Sequence, residues 1–427
     1  MVQPKTLYDA IKPLIVANFI VGLGIWPGET IIRKTISIGY SVFCLIIFGV
    51  LIKLSMSYFD ETYQQRLNEI SNRTFQAVFY TNIAMTLCLI ITSIWRIKIM
   101  KDAYERITIC EKAFEQMKVS TNYRNMFLYQ IYAFVFVVLI FIIFSVINYD
   151  LMVERDVMPF HVKFIIMLVG HYPVALLYVA DISFLHWVRY SKIRFKQLND
   201  LLQRMLTTTL DSPQHKRVLK MKDDWNKAFV SSAQQEHKTK ENVDTMRAVK
   251  QVHLELIKCI RRTNDAYGIQ ILLSMTMSFV FITSLLYNAY KIYWINIPRN
   301  ELVQQMVSLG CWALFYMSKV FVINHMCALA SIEAASTGDI ICELYEPSTS
   351  KEFRTEIRDF TLQLIQNPLI FTACGFFTLD HTFIHGVIGS ITTYLVILIQ
   401  VGDITPDEST NSTALFNATN FTVINIV

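Results

Sequence analysis

The amino-acid sequence predicts an all-α, polytopic membrane protein with seven transmembrane helices, a cytosolic N-terminus and an extracellular C-terminus. Hydrophobic residues make up 53% of the 427 residues and charged residues only 17%, whereas soluble proteins carry about a quarter charged residues. The apolar residues also lie in long blocks, and about twenty of them cross the roughly 30 Å hydrocarbon layer as a helix. This composition excludes a soluble enzyme.

Six blocks are long and apolar enough to be spans, and a seventh is interrupted. The six predicted spans are 36–59, 75–95, 126–147, 163–187, 267–289 and 303–328. The seventh tract, 370–401, contains Asp380 and His381, so only 386–401 is predicted to lie in the membrane. A helix of that length covers roughly 24 Å, which favours a protected central position over a lipid-facing one. The first residues lack a signal-peptide pattern, so the first span is expected to act as its own signal.

The distribution of Lys and Arg predicts the orientation. If the N-terminus is cytosolic, 31 of the 39 Lys and Arg residues fall on the inner side, in segments 1–35, 96–125, 188–266 and 329–385. Five fall on the outer side, in segments 60–74, 148–162, 290–302 and 402–427. Positive loops stay in the cytosol, so the count predicts an inner N-terminus.

Four glycosylation sequons agree with this orientation. Asn72 lies in the predicted first outer loop, and Asn411, Asn417 and Asn420 lie in the C-terminal tail. A single sequon is weak support, but all four fall on the side that the charge count places outside. The two signals together predict an odd number of spans.

The chain is predicted to divide into six segments. These are transmembrane helices 1–4 in 1–187, a cytosolic helix-loop-helix in 188–266, helices 5 and 6 in 267–328, cytosolic anchor helices in 329–385, the last span in 386–401 and a glycosylated tail in 402–427. Apolar residues at helical spacing predict amphipathic helices over 188–205, 243–260 and 351–366, with a polar loop over 207–241. Packing into a cytosolic base is expected, and lying on the inner membrane surface is the alternative.

The last span resembles the C-terminal signature of insect gustatory receptors. It carries Thr393 and Tyr394, then five hydrophobic residues and Gln400. Further stretches that resemble this family are 253–258, 264–270, 360–366, 371–380 and 389–393. In the family the signature ends in Phe, which with the preceding Gln is taken to form the gate. Val401 stands there in this chain, so a difference in gate tightness is implied.

The resemblance implies a homotetrameric, non-selective cation channel of the plasma membrane, opened by a small-molecule tastant. The last span of each subunit would line a central pore, and the cytosolic helices would hold most subunit contacts. The implied partners are the tastant, membrane lipid and further copies of the chain, with related receptor subunits as an alternative. No cofactor, metal site or nucleic-acid partner is predicted. The eight cysteines are expected to be buried apolar residues and cytosolic thiols.

Helical spacing places two different faces on the last span, because residues three or four apart share a face. One face holds Gly389, Thr393, Val396, Ile397 and Gln400, and the other holds Ile391, Tyr394, Leu395 and Leu398. Four Gln400 side chains would form a polar ring beside an apolar gate, and Asp403, Asp407 and Glu408 at the outer mouth would attract cations. The alternative is helix–helix packing at the small residues, with Gln400 marking the membrane interface.

Polar and aromatic residues in the outer halves of the spans predict a ligand pocket, since buried polar groups in a membrane mark function. The candidates are Asn82, His171, Tyr172, Tyr287, Asn288, Gln305 and Trp312. Each residue on its own fits an interhelical hydrogen bond or an interface anchor better than a ligand contact.

Three other functions are alternatives to a channel, and the charge and sequon counts argue against the first of them. A G-protein-coupled receptor would need the opposite topology, and a secondary transporter would show paired broken helices where only one interrupted segment is found. A seven-span receptor of inverted topology without its own pore is the third alternative. An enzyme is not predicted, because no phosphate-binding loop, His-Glu-x-x-His pair or nucleophile elbow occurs in the sequence.

Overall fold

The structure is a computed structural model that describes residues 4–24, 31–63, 69–119, 122–153, 160–208, 232–294, 299–345 and 350–404. Within these ranges the chain forms nine α-helices and one short β-hairpin. The elements in chain order are α1 Leu7–Ile20, α2 Ile31–Tyr63, α3 Glu69–Gln116, α4 Tyr123–Val153, α5 Phe160–Thr208, α6 Ser232–Trp294, α7 Arg299–Leu344, α8 Lys351–Gln366, β1 Thr372–Ala373, β2 Phe377–Thr378 and α9 His381–Ile404.

Seven of these helices are long and apolar enough to cross a membrane. The candidate spans are Thr35–Ser57, Ile83–Gln116, Tyr123–Ile147, Phe160–Met205, Val243–Trp294, Leu302–Leu344 and His381–Gln400. Each overlaps one of the seven predicted spans, so the predicted all-α membrane fold is confirmed. The sidedness of the termini and the division into cytosolic and outer segments stay predictions.

The helix boundaries correct the predicted segments in two places. The last helix begins at His381, not at Gly386, because Asp380 caps its N-terminus and the following residues extend it. Helix α6 begins at Ser232, so the predicted loop over 207–241 is wrong at its C-terminal end. Residues 209–231 of that loop lie outside the described part of the chain.

The position of Asn72 is a further correction. Helix α3 begins at Glu69, so this sequon lies in the first turns of a helix and not in a loop. It still precedes the candidate span that begins at Ile83.

Helices α3 and α7 continue far beyond the predicted spans. The extension of α3 buries Met100, Ala103, Ile107, Cys110 and Phe114, and that of α7 buries Ala330, Ala334, Thr337, Ile341 and Leu344. Both sets repeat every three or four residues, which places them on one helix face. These faces join α5 and α6 in one continuous hydrophobic core. The packed base predicted from the amphipathic stretches is therefore present in the fold.

Helix α8 is the amphipathic helix that the sequence predicts over 351–366. The Ser350 hydroxyl caps its N-terminus by accepting from the Phe353 backbone N–H at 3.2 Å, and Phe353, Ile357 and Phe360 are buried. Its polar side binds α6 through Glu356, which pairs with Lys250 and Arg247. The hydrogen bond from Lys250, followed by that from Arg247, holds the pKa of Glu356 below its usual value.

A buried cluster around Glu111 joins three helices in the predicted base. The Glu111 carboxylate on α3 pairs with Arg194 on α5 and accepts hydrogen bonds from the hydroxyls of Tyr190 and Tyr123. The Arg194 guanidinium also lies 4.7 Å from the centre of the Phe114 ring. Because a buried charge is tolerated only when it is paired, this cluster fixes the relative positions of α3, α4 and α5.

The N-terminal helix α1, which precedes the first predicted span, packs against α4 through the side chain of Gln130. The Gln130 amide donates to the carbonyl of Ala10 at 2.9 Å and accepts from the backbone N–H of Leu14 at 3.1 Å. These two backbone groups bond to each other in a regular helix. Pro13 lies between them and has no backbone N–H to donate, so the helix is irregular here. The Gln130 side chain supplies the hydrogen bonds that the Ala10 carbonyl and the Leu14 N–H would otherwise lack.

Candidate functional site

The last helix, α9, packs against the rest of the chain through one face. Val387, Ile391 and Leu395 on this face are wholly or partly buried and lie toward α6 and α7. The Tyr394 ring meets the Phe279 ring of α6 edge-on, with centres 5.7 Å apart. Ile391 and Leu395 thus lie where their helical spacing predicts, whereas Tyr394 and Leu398 of the same predicted face keep 54% and 38% exposure.

The predicted pore residues lie on the opposite, exposed face of α9. Gly389, Thr393, Val396, Ile397 and Gln400 are all exposed in the single chain. The Thr393 hydroxyl donates to the Gly389 carbonyl at 3.0 Å, so its hydrogen is satisfied within the helix. The structure therefore brings these five residues together as one stripe of small, polar and apolar groups that is accessible from outside the chain.

The side chains of several predicted site residues lie outside the described part of the structure. Val401 and Asp403 belong to the last turns of α9, and Asn72 and Asn82 belong to α3, but the structure describes only their backbone. Residues 405–427 are not described, and they contain Asp407, Glu408, Asn411, Asn417 and Asn420. The gate position, the acidic mouth and glycosylation of the tail therefore stay predictions.

A β-hairpin connects α8 to α9 and packs against α6. Thr372 pairs with Thr378 and Ala373 with Phe377, and the turn between them has positive φ at Cys374 and Gly375. The side-chain oxygen of Asn264 on α6 accepts from the Thr372 backbone N–H at 3.2 Å.

One turn further along α6, Gly268 lets the hairpin approach closely. A Cβ atom at Gly268 would lie only 3.2 Å from the backbone nitrogen of Cys374 and 3.3 Å from its Cα. The two family-like stretches, 264–270 and 371–380, are therefore the two sides of one contact.

The hairpin ends in the residue that caps α9. Asp380 accepts from the backbone N–H of Phe383 at 3.0 Å and from the Thr378 hydroxyl at 2.8 Å, as an N-cap residue does. Partial burial raises the pKa of Asp380, but the hydrogen bonds from Thr378 and from the helix backbone outweigh it and lower the pKa below its usual value. Asp380 is thus an anion at neutral pH, fixed at the first turn of α9.

Among the predicted ligand residues, the structure brings His171 and Trp312 together. Their ring centres lie 5.8 Å apart, between α5 and α7, and Phe144 of α4 packs on Trp312 at 4.5 Å. His171 Nδ1 donates to the carbonyl of Met167 at 2.8 Å, which leaves Nε2 as a hydrogen-bond acceptor. That buried Nε2 atom has no hydrogen-bond partner among the described residues.

The other predicted ligand residues do not join this aromatic cluster as one set. Tyr172 points the other way, because its hydroxyl donates to the Val21 carbonyl at 3.0 Å and its ring packs on Phe48. Gln305 lies two turns before Trp312 on α7 and is buried, with no partner for its Oε1 atom within the described ranges. Tyr287 and Asn288 are half-buried near the end of α6.

A buried ion pair lies between three helices, at positions that the sequence does not predict to be in contact. Lys319 Nζ on α7 lies 3.1 Å from Asp181 Oδ2 on α5, and both side chains are 4% exposed or less. The Ser274 hydroxyl on α6 donates to the same carboxylate oxygen at 2.7 Å. Opposite charges on two predicted spans are the sequence feature that could indicate such a pair. Because 138 residues separate Asp181 from Lys319, the sequence alone does not show that they meet.

Arg96 provides a second buried polar contact with α6. Its guanidinium donates to the Gln270 side-chain oxygen at 2.5 Å and lies 4.4 Å from the centre of the Tyr267 ring. Gln270 and Tyr267 belong to the same family-like stretch, 264–270, that supports the hairpin. No group of three or more His, Cys, Asp or Glu side chains that could hold a metal ion occurs among the described residues.

The seven helices that are long and apolar enough to cross a membrane define a multi-pass membrane protein. A profile of the family described as 7tm Chemosensory receptor matches residues 16–404, so the chain belongs to this family of membrane receptors. The predicted resemblance to insect gustatory receptors is confirmed, and the family places the protein in the plasma membrane.

Individual relatives agree with the family assignment. The putative gustatory receptor 28a of Drosophila melanogaster is 22% identical over 443 aligned residues, which cover 96% of each chain. The gustatory and pheromone receptor 32a of the same organism is 28% identical over 151 residues, 35% of this chain and 32% of that receptor. The chain thus matches about a third of the length of that second relative.

A solved structure shares the fold. The insect olfactory receptor OR5 from Machilis hrabei, determined in complex with eugenol, superposes with a TM-score of 0.58. The match covers 92% of this chain and 98% of that receptor at 13% identity, which shows the fold alone.

Proposed function

We propose that the chain is a tastant-gated, non-selective cation channel that assembles as a homotetramer around a central pore lined by α9. The observation that carries this proposal is the exposed stripe of Gly389, Thr393 and Gln400 along one face of α9. A lipid-facing helix gains nothing from such groups, because polar side chains are unfavourable in hydrocarbon. Four copies of the stripe around one axis would instead face water and passing ions.

The family assignment and the fold shared with an insect olfactory receptor that was solved with a bound small molecule support the ligand part of the proposal. The aromatic cluster around His171 and Trp312 would receive the ligand. His171 Nε2 and Gln305 Oε1 are both unpartnered acceptors in the described ranges, and a buried acceptor without a donor is unfavourable. A ligand with an apolar face would pack on the aromatic rings, and its hydroxyl or N–H groups would donate hydrogen bonds to His171 Nε2 and Gln305 Oε1.

Cysteine scanning along α9 tests the pore directly. In a background in which the exposed Cys88, Cys342 and Cys374 are replaced by Ser, we expect a charged thiol reagent to block current through the Thr393→Cys and Gln400→Cys channels. The Ile391→Cys channel is the matched control, because Ile391 is buried against the same chain. Protection at the two exposed positions, with modification at the control, would contradict a pore on this face.

Substitution of Gln400 tests the polar ring. We expect Gln400→Ala to change basal current or ion selectivity, whereas Leu398→Ala, on the flank of the packed face, leaves both unchanged. Wild-type conductance, leak and selectivity in Gln400→Ala would count against the ring. Subunit counting by single-molecule photobleaching tests the tetramer, and any number other than four overturns it.

Dose–response curves test the ligand cluster. We expect His171→Ala and Gln305→Ala to shift ligand potency without loss of surface expression. Tyr172→Phe is the control, because its hydroxyl bonds to Val21 and not to the cluster. Potency that is unchanged in the first two variants would discard the cluster as the binding site.

A further inference from the structure

Two histidines meet where the first turn of α9 contacts α7. Nδ1 of His325 on α7 and Nε2 of His381 on α9 lie 3.0 Å apart, and their ring centres are separated by 5.3 Å at an angle of 33°. Both side chains keep access to solvent, since His381 is exposed and His325 is half-buried. Fifty-six residues separate them in the sequence, so sequence spacing gives no sign of the pair.

Two imidazole nitrogens at this distance suit a divalent transition-metal ion. Neutral imidazole is the commonest metal ligand among side chains, and zinc binds nitrogen at about 2.0–2.1 Å in tetrahedral geometry. Two ligand nitrogens of such an ion lie roughly 3.3 Å apart. The 3.0 Å separation is that of an N–H···N hydrogen bond between the two rings. A metal ion would replace the shared proton and widen the separation by about 0.3 Å, which a small rotation of the two rings supplies.

The surroundings orient one ring and reduce the repulsion that the N-terminus of α9 would exert on a cation. The Phe321 ring stacks on His325 at 5.4 Å with an angle of 10° between the planes, which holds His325 on its side of the pair. Asp380 directly precedes His381 and is an anion fixed by its hydrogen bonds to Thr378 and the α9 backbone. Its negative charge offsets the positive end of the α9 dipole.

We propose that His325 and His381 form a binding site for a divalent transition-metal cation such as Zn²⁺, with water completing the coordination. No third His, Cys, Asp or Glu completes a cluster with them among the described residues, so an ion held there keeps open positions. The ion would link α7 to the first turn of α9. Its effect on current rests on the proposed function of α9 as the pore helix, whereas the binding itself does not.

Thermal unfolding of the purified full-length chain in detergent, titrated with Zn²⁺, tests the site without any current. An ion that binds only the folded state raises the melting temperature in a saturable way. We expect this rise in the wild type, its reversal by EDTA, and its loss in His325→Gln and His381→Gln. These variants keep a hydrogen-bonding side chain, so their stability without metal reports whether they fold.

His385→Gln is the matched control, because His385 lies one turn along α9 from His381 and is exposed. We expect it to keep the full zinc-dependent rise. A rise that is absent from the wild type, equal in all four proteins or lost in His385→Gln would overturn the site. These results would show no binding, binding elsewhere or binding by the His381 and His385 pair on α9, respectively.

Inside-out patches separate the metal site from the pore. We expect Zn²⁺ on the predicted cytosolic side to change the open probability of the wild type and of His385→Gln, but not of the other two variants. A chain that carries no current in any condition would contradict the proposed function, and the melting experiment would still decide the metal site. Identical zinc responses of all channels would contradict the link between the ion and α9.

Discussion

The buried Lys319–Asp181 pair allows a quantitative test of how the transmembrane core is held together. The perturbation is Lys319→Met, which removes the cation and leaves the methylene chain in place. Asp181 then remains buried with the Ser274 hydroxyl but without its ion-pair partner at 3.1 Å. Removing one member of a buried pair destabilises a protein by about 3–5 kcal/mol, because the other charge is left uncompensated.

The loss of unfolding free energy is limited by two quantities: the Coulomb attraction within the pair and the free energy needed to protonate the carboxyl. At 3.1 Å and an effective dielectric constant near 20, the attraction between two unit charges is about 5 kcal/mol. Protonating a carboxyl with the ordinary pKa of about 3.9 at pH 7 requires about 4 kcal/mol, and the variant can always adopt this neutral form. We therefore expect a loss of about 3–4 kcal/mol in the free energy of unfolding.

A double-mutant cycle makes the test specific to the pair. We expect Asp181→Asn alone to be destabilising for the same reason, because it strands the Lys319 ammonium. The double variant, with Asp181→Asn and Lys319→Met together, contains no buried charge at this position and keeps the acceptor for Ser274. It should be more stable than either single variant, since replacing both members of a buried pair is often neutral.

Thermal unfolding of the detergent-purified receptor measures the effect. At about 2 °C per kcal/mol for a long chain, Lys319→Met should lower the melting temperature by about 6–8 °C. Lys163→Met is the control, because Lys163 is also buried but pairs with no carboxylate among the described residues. A melting temperature of Lys319→Met equal to that of the wild type, or a double variant that loses the sum of the two single losses, would refute the argument.

Three further predictions concern the contacts that hold α1, α8 and the hairpin. Gln130→Leu should lower stability by about 1–3 kcal/mol, because it removes the partner of the Ala10 carbonyl and the Leu14 N–H, and Pro13→Ala should suppress part of this loss in a melting experiment. Gly268→Ala should weaken the hairpin contact and reduce surface expression, since its Cβ would lie 3.2 Å from Cys374 N, whereas Gly310→Ala, with open space around it, should be neutral. Glu356→Gln should destabilise the protein at neutral pH, and the difference from wild type should shrink as the pH falls below the ordinary value of 4.5, because hydrogen bonds from Lys250 and Arg247 lower the pKa of Glu356 in the folded state. Glu352→Gln, at an exposed side chain of the same helix, is the matched control and should leave the stability at neutral pH nearly unchanged.

The local sequence pattern was sufficient to predict the first and last residues of some helices. Helix α8 carries an amphipathic repeat, and Asn367 and Pro368 follow it, so both its type and its end could be predicted. The extensions of α3 and α7 were missed, because a search for apolar blocks counts composition and these segments mix charged with apolar residues. Their repeat of buried residues, such as Met100, Ala103 and Ile107, contains the missing signal.

The candidate site likewise contains features that the local sequence predicts and contacts that depend on how the helices pack. The stripe of α9 could be predicted, because residues three and four apart share a face whatever the rest of the chain does. The pairs Lys319–Asp181 and His325–His381 depend on how α7 packs against α5 and α9, which no local pattern specifies. The same limit explains why Tyr172, adjacent in sequence to His171, points to α1 and α2 instead of to the aromatic cluster.

The length of α6 has a mechanical consequence. Its 63 residues form a single rod of about 95 Å, which supports the hairpin through Asn264 and Gly268 partway along its course. A rotation of about 2° about one end of a rod of that length displaces the far end by about 3 Å. An angular change too small to disturb side-chain packing at one extremity would therefore become a displacement as large as a hydrogen-bond length at the other.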